Sequence, residues 1–271
     1  HFISSKDEIR EFNAWFEAGL ADQQYGTNTQ ASLFPNYQVP EIIKTWPAHG
    51  NVSLGQDYYL APFYDFNDDG HYDWRDGDYP WYDFIQEIDC KERKREDLVP
   101  LYGDRNFYWI FNDKGNVHSE SQGEPIGMEV RAQAFAFSTN DEVNNMTFYN
   151  YVLINRGTQT LYNTYFGFFT DGALGDPYDD YVGCDVMRGL GYYYNGDNFD
   201  GDNSGYKGYG YSPPAVGVDF FEGPYQDDDG IDNAYGIGLN EALNGIGYGD
   251  GIIDNERFGM RRFLYYSNTT N

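Results

Sequence analysis

The sequence predicts a mainly-β protein, an antiparallel β-sandwich of the jelly-roll kind with a short N-terminal helix and long loops. Three observations lead there. Aromatic residues make up 19 % of the 271, with 27 Tyr and 20 Phe, a content that disordered acidic chains lack and that suits pleated, half-buried surfaces. From Tyr102 onward, strand-like runs follow one another with short turns and no helical period between them. Acidic residues outnumber basic ones 44 to 17 and gather with Gly and Asn in the segments between the runs. One core is the expectation for this length, with residues 1–50 as a lead-in and 51–271 as the sheet-rich domain.

Residues 1–20 read as a helix. Ser5-Lys6-Asp7-Glu8 fits a capping box, and Ile9, Phe12, Phe16 and Leu20 follow at helical spacing. "PEIIKTW", residues 40–46, adds one turn opened by Pro40. "DCKERKRED", residues 89–97, mixes both charge signs and reads as a solvated loop. "FYWIF", residues 107–111, and "NVHSE", residues 116–120, flank "NDKG", a hairpin signal. "GMEVRAQAFAF", residues 127–137, alternates with period two, with Met128, Val130, Ala132, Ala134 and Ala136 on one face and Glu129, Arg131, Gln133, Phe135 and Phe137 on the other. "MTFYNYVLIN" (146–155), "LYNTYFGFF" (161–169), "GLGYYY" and "AVGVDFF" complete the expected strands.

The loops carry the chemistry. "DFNDDGHYDWRDGDYP", residues 65–80, places Asp65, Asn67, Asp69, Asp73 and Asp76 at positions 1, 3, 5, 9 and 12 of a calcium loop, with the carbonyl of His71 at position 7 and Gly70 at the sharp turn. Calcium takes roughly six to eight oxygens, about what this loop offers. Asp76 is shorter than the Glu that usually closes such a loop; Asp68 and Asp78 are left over as surface charges. A second region pairs "DDDGIDN" with "GDGIIDNE", so that Asp229, Asp232, Asn233, Asp250, Asp254 and Glu256 converge if the glycine-rich insert between them loops out. A third, "TDGALGDPYDDYVGCD", offers Asp171, Asp176, Asp179, Asp180 and Asp185 after a strand. "NGDNFDGDNSG", residues 195–205, is a weaker match, with Asp200, Asp202 and Ser204 but no ligands at positions 9 and 12. Each region has a plainer reading as solvated turns held by Asx hydrogen bonds.

The net charge of −27 argues against nucleic acid and against anionic membrane surfaces, and strains the compact state unless cations neutralise it. No apolar run is long enough to span a bilayer. The chain opens at His1 on mixed polar residues, as a mature form or an internal piece would. Cys90 and Cys184 are too few for a disulfide framework and fit no zinc spacing; they pair only if the protein is secreted. Neither HExxH, nor a GxSxG elbow, nor a phosphate-binding glycine loop with Lys is present. His118, near Glu120 and Glu124, reads as structural. Paired carboxylates would suit a glycosidase, but nothing singles out one raised acid, and no catalytic residue is assigned.

Residues 65–80, 109–118, 127–156, 179–185 and 249–260 carry the motifs "DFNDDGHYDWRDGDYP", "WIFNDKGNVH", "GMEVRAQAFAF…TNDEVNNMTFYNYVLINR", "DDYVGCD" and "GDGIIDNERFGM". In these stretches the chain resembles the large extracellular proteins of Bacteroidota exported by the type IX secretion system. The resemblance covers most of the chain after about Trp46. It implies a calcium-replete cell-surface location, an adhesin-like role, and a place inside a longer polypeptide whose other domains, together with the secretion machinery, would be partners. It carries over no catalytic residues. A surface glycan or protein is the ligand class expected.

Overall fold

The computed structural model describes residues 1–81, 103–115, 117–119, 121–226, 228–234 and 245–266. Among them strands in antiparallel sheets predominate and helices are few, so the protein is mainly β. The solvated loop expected at 89–97, Cys90, Glu120 and the insert at 235–244 lie outside the described residues. Two compact units divide the chain, His1–Asn163 and Thr164–Asn271.

In the first unit the helix has the expected length of 20 residues but starts and ends five residues later. Strand β1 (Phe2–Ser5) precedes α1 (Lys6–Tyr25). The capping box holds: the Ser5 hydroxyl accepts the Glu8 N–H, and the Ser5 N–H donates to the Glu8 carboxylate at 2.9 Å. Gly26, with φ 65°, ends the helix in the left-handed conformation that glycine adopts without penalty. Two short helices, α2 (Thr29–Leu33) and α3 (Glu41–Lys44), follow, the second opened by Pro40 as expected. The apolar stripe of α1 explains the packing. Ile9 and Phe12 are fully buried with Val39, Ile43, Tyr79 and Trp81, and a second cluster joins Trp46, Ala48 and Ala61 to Tyr108. The lead-in at residues 1–50 is therefore part of the first unit's core.

A four-stranded sheet runs in the order β1-β4-β5-β6, with β4 Arg105–Asn112, β5 Met128–Ala136 and β6 Thr147–Asn155; a small pair, β2 (Phe63–Tyr64) and β3 (Tyr79–Pro80), brackets the first acidic loop. The partner of β4 differs from the expected hairpin. "NVHSE" forms no strand over its described residues, and Val117 is 83 % exposed. Instead Asp113 accepts the N–H groups of Ile126, Gly127 and Met128 at 2.6, 3.1 and 3.0 Å. One carboxylate thus closes a long connection and starts β5. The alternation in β5 is realised, though the polar face is also covered at mid-strand. Arg131, 6 % exposed, bonds Asp57 and Glu129, and Arg156 pairs with the same two acids. Removing one member would leave a buried charge unpaired.

In the second unit β11 (Ala215–Asp219), β8 (Leu190–Asn195) and β7 (Asp180–Asp185) form one sheet in the order β11-β8-β7, and β9 (Phe199–Asp200) pairs with β10 (Gly210–Tyr211). The strand expected at 161–169 does not form. Its residues are strongly strand-prone, but among the described residues no strand pairs with them, and Tyr162 and Phe169 are 82 % and 76 % exposed. The Cys184 thiol is free, and burial pushes its pKa up.

Phe12→Ala should lower the first unit's unfolding free energy by about 3–5 kcal/mol through transfer and cavity terms. Ser5→Ala should lower it by about 1 kcal/mol through the lost cap. Denaturant midpoints followed by circular dichroism test both.

Candidate metal-binding loops

The first acidic loop leaves β2 at Tyr64 and returns at β3. Asp65 accepts the N–H groups of Asp69 and Gly70 at 3.2 and 2.6 Å. Asn67 accepts the Asp69 N–H and donates its amide to the Asp69 carboxylate at 3.0 Å, and Asp69 accepts the His71 N–H at 2.7 Å. Asp68 and Gly70 are left-handed, at φ 59° and 75°, which folds the chain tightly enough to turn the three side chains onto one bend. Asp73 turns away: it caps the single turn Trp74–Asp76 by accepting the Arg75 N–H and pairs with the Arg75 guanidinium at 3.3 Å. Asp76 is exposed on that turn. The His71 ring stacks on His49 with centroids 5.0 Å apart, its Nδ1 3.0 Å from the Tyr58 hydroxyl. Of the six positions read from spacing, Asp65, Asn67 and Asp69 are brought together, and Asp73 and Asp76 are not.

Asp78 is not the surface charge expected from spacing. It is fully buried and accepts the N–H groups of Phe66 and Asp73, both at 2.8 Å. It thereby ties the start of the loop to its end. Burial pushes its pKa up to about 6; the two N–H bonds oppose this, and the charges of Asp65 and Asp69 add to it. Behind it, the aromatic ring of Phe16 occupies the space where a Cβ at Gly77 would stand, 2.4 Å away, so the loop is seated on α1.

The third region and the weaker fourth come together. Asp200, 1 % exposed, accepts the N–H groups of Asp176 and Tyr209 at 3.1 and 2.7 Å. Asp176, 6 % exposed, accepts the Tyr178 N–H and the Asn203 side-chain amide. Asp180 accepts the Leu174 N–H at 2.8 Å. Two of the expected members stand apart: Asp171 is exposed, and Asp185 pairs with Arg188 across the β7–β8 turn, which lowers its pKa. Asp202 likewise pairs with Lys207, and Ser204 is exposed.

In the second region the two halves do converge. Asp232 accepts the N–H groups of Gly249 and Gly251, both at 2.7 Å. Asp254 accepts the Gly230 N–H at 2.8 Å. Glu256, 1 % exposed, accepts the Asn233 N–H. Asp229 and Asp250 serve their own turns, at Ile231 and at Ile252 and Asn255.

Every one of these regions uses carboxylates to accept main-chain N–H groups. Among the described residues no three His, Cys, Asp or Glu side chains are gathered at ligand distance about one point. Sequence spacing missed Asp78, Asp113 and Asn195, whose roles come from contacts between segments far apart in the chain. Comparison with protein families, with curated proteins and with solved structures gives no match.

Asp78 sets a pH dependence. Its carboxyl rises from 3.8 to about 6 on folding, so between those values the folded chain holds a proton that the unfolded chain has released. Stability in calcium-free buffer should therefore fall as pH rises from about 4 to about 6. In Asp78→Asn that slope should flatten, from a lower baseline because the amide offers one acceptor where the carboxylate offers two. Denaturant unfolding across that range in EGTA checks it.

Proposed function

We propose that this chain is a calcium-stabilised, extracellular β-sandwich module of a secreted cell-surface protein, acting in adhesion or surface structure. The observation that carries the reading is the bend at Asp65, Asn67 and Asp69, where three oxygen-bearing side chains turn inward around Gly70. Oxygen-only donor sets suit calcium. The fit extends to charge: a chain at −27 with buried carboxylates at Asp78, Asp176, Asp200 and Glu256 gains from bound cations what its few basic residues cannot supply. A bound calcium ion would supply positive charge and bridging coordination; Asp65, Asn67 and Asp69 would hold it, with Asp73, Asp76 and the His71 carbonyl drawn in. The motif resemblance to type IX secretion cargo of Bacteroidota fits the same setting. Its partners would then be other domains of a longer polypeptide, the secretion machinery, and a surface protein or glycan.

A second reading, a carbohydrate-binding module, is favoured by one surface. On the outer face of the four-stranded sheet, Ala134 is flanked by Phe107 and Tyr149 and Ala132 by Trp109 and Tyr151, as the ladder register requires. Part of this face opens as a cleft of ≈ 640 Å³, with Ala134 at its floor and Phe107, Trp109 and Tyr149 among its walls. Aromatic faces of this kind stack on sugar rings.

Calcium at 100 times its dissociation constant should raise stability by about 2.7 kcal/mol per site, and EGTA should remove the gain. Asp65→Asn with Asp69→Asn should shrink the rise in melting temperature. An unchanged melting temperature in calcium and EGTA would remove the calcium reading. For the glycan reading, an array that retains the wild type and loses Trp109→Ala supports it; an array without hits removes it.

A further inference from the structure

We propose that Asp179, Asp180 and Asn195, held in place by Asp176 and Asp200, form a divalent-cation site of their own, built between the loop before β7 and the β8–β9 turn, with calcium as the ion their oxygens suit. The inference rests on the wider reading that the chain binds calcium, but on different residues from the first loop, and it redraws the third acidic region. Asp171 and Asp185 drop out; Asn195 and Asp200 enter.

The carboxylates alone would not carry this. The independent observation is Asn195. It is 7 % exposed, and its Oδ1 has no hydrogen-bond partner. Its Nδ2 is committed to the Asp197 carbonyl at 3.1 Å, which fixes the amide so that the oxygen points the other way. In the β7–β8 ladder Asn195 lies directly opposite Asp180, so the two side chains share one face of the sheet at close range. The Asp180 Oδ1 is also buried without a partner, and so is the Oδ1 of its neighbour Asp179. A buried oxygen acceptor left unpaired carries an uncompensated desolvation penalty. Three of them around one strand end need a common cause, and a cation supplies it.

Charge points the same way. Asp176 and Asp200 are buried, and the basic side chains nearest in sequence are engaged elsewhere, Arg188 with Asp185 and Lys207 with Asp202. Such a group of acids needs either protons or a metal ion. The backbone is arranged to bring them close. Gly175 sits at φ 69° with the Asp200 carboxylate packed where a side chain would be, 1.9 Å from an added Cβ. The hydrogen bonds from Asp176 N–H to Asp200 and from the Asn203 amide to Asp176 cross between the two loops. The free oxygens of Asp179, Asp180 and Asn195 would be the direct ligands. Asp176 and Asp200, whose oxygens already accept N–H groups, would hold the two loops around these ligands rather than enter the shell.

Isothermal titration of calcium into the EGTA-stripped full chain tests the proposal. Three proteins are compared: wild type, Asp179→Asn/Asp180→Asn, and Asp65→Asn/Asp69→Asn. The expected result is one fewer site in the first variant, and a retained site of unchanged affinity in the second. If the first variant folds by circular dichroism yet binds like wild type, the proposal is overturned, even where the second variant loses binding and upholds the first loop. No calcium binding by the wild type overturns both. Where the double variant does not fold, Asn195→Ala decides: it gives up only the Nδ2 bond to the Asp197 carbonyl, its fold is checked by circular dichroism, and calcium affinity should fall about tenfold or more with one ligand removed. Unchanged affinity in Asn195→Ala then overturns the proposal.

Discussion

Carboxylates that accept backbone N–H groups are the interaction on which the loops of this chain depend. Strands satisfy their own amides; long glycine-rich connections do not, and each buried N–H needs an acceptor. Here Asp and Glu supply it. Asp113 takes three consecutive amides and closes the connection between β4 and β5. Asp78 joins the two ends of the first acidic loop. Asp200 holds one loop of the second unit against another, and Asp232 locks the halves of the last acidic region. Asp22 does the same at the end of α1, accepting from Thr29 and Gln30; its pKa falls to about 2, chiefly through its bond from the Thr27 hydroxyl. Hydrogen bonds to a charged acceptor are worth about 1.5–3 kcal/mol each, enough to hold a loop that buries little apolar surface.

The same choice creates the chain's electrostatic problem. Each carboxylate placed to shape a loop adds to the charge of −27, and where two loops meet the charges meet as well. Asp78 beside Asp65 and Asp69, and Asp179 and Asp180 beside Asp176 and Asp200, are the places where burial and like charge act together to raise carboxyl pKa values. Main-chain N–H groups offset part of this. The remainder is what the proposed cations would offset, and for that reason the proposed ion sites lie at the points where the loops are pinned.

Local sequence patterns were legible where local physics decides the outcome. The capping box of Ser5 and Glu8, the alternation of residues 128–136 and the strands at 190–195 and 215–219 follow from short-range spacing. So does the convergence of the two halves of the last acidic region, because complementary half-loops leave few other ways to satisfy their amides. Pairing was not legible. β1 is too short to stand out, and only its ladder with β4 makes it a strand. Residues 161–169 have the composition of a strand and form none. Spacing gave Asp76 a place in the loop and left Asp78 as a surface charge; the burial of Asp78 is set by Phe66 and by the seat on α1. Asn195 carries no motif; its meaning comes from standing across from Asp180.

The most direct test of this account is amide hydrogen exchange measured in calcium and in EGTA. The informative amides are those bonded to the acids: Phe66 and Gly70 in the first loop, Leu174 and Asp176 in the second unit, and Gly249 and Gly251 in the last region. Local opening governs their exchange, and an ion that stabilises the closed loops lowers the open population in proportion. The account predicts slower exchange in calcium at these positions, by about tenfold or more, with the amides of β4, β5 and β6 little changed. Equal exchange in the two buffers would contradict it and leave the carboxylates as hydrogen-bond acceptors alone.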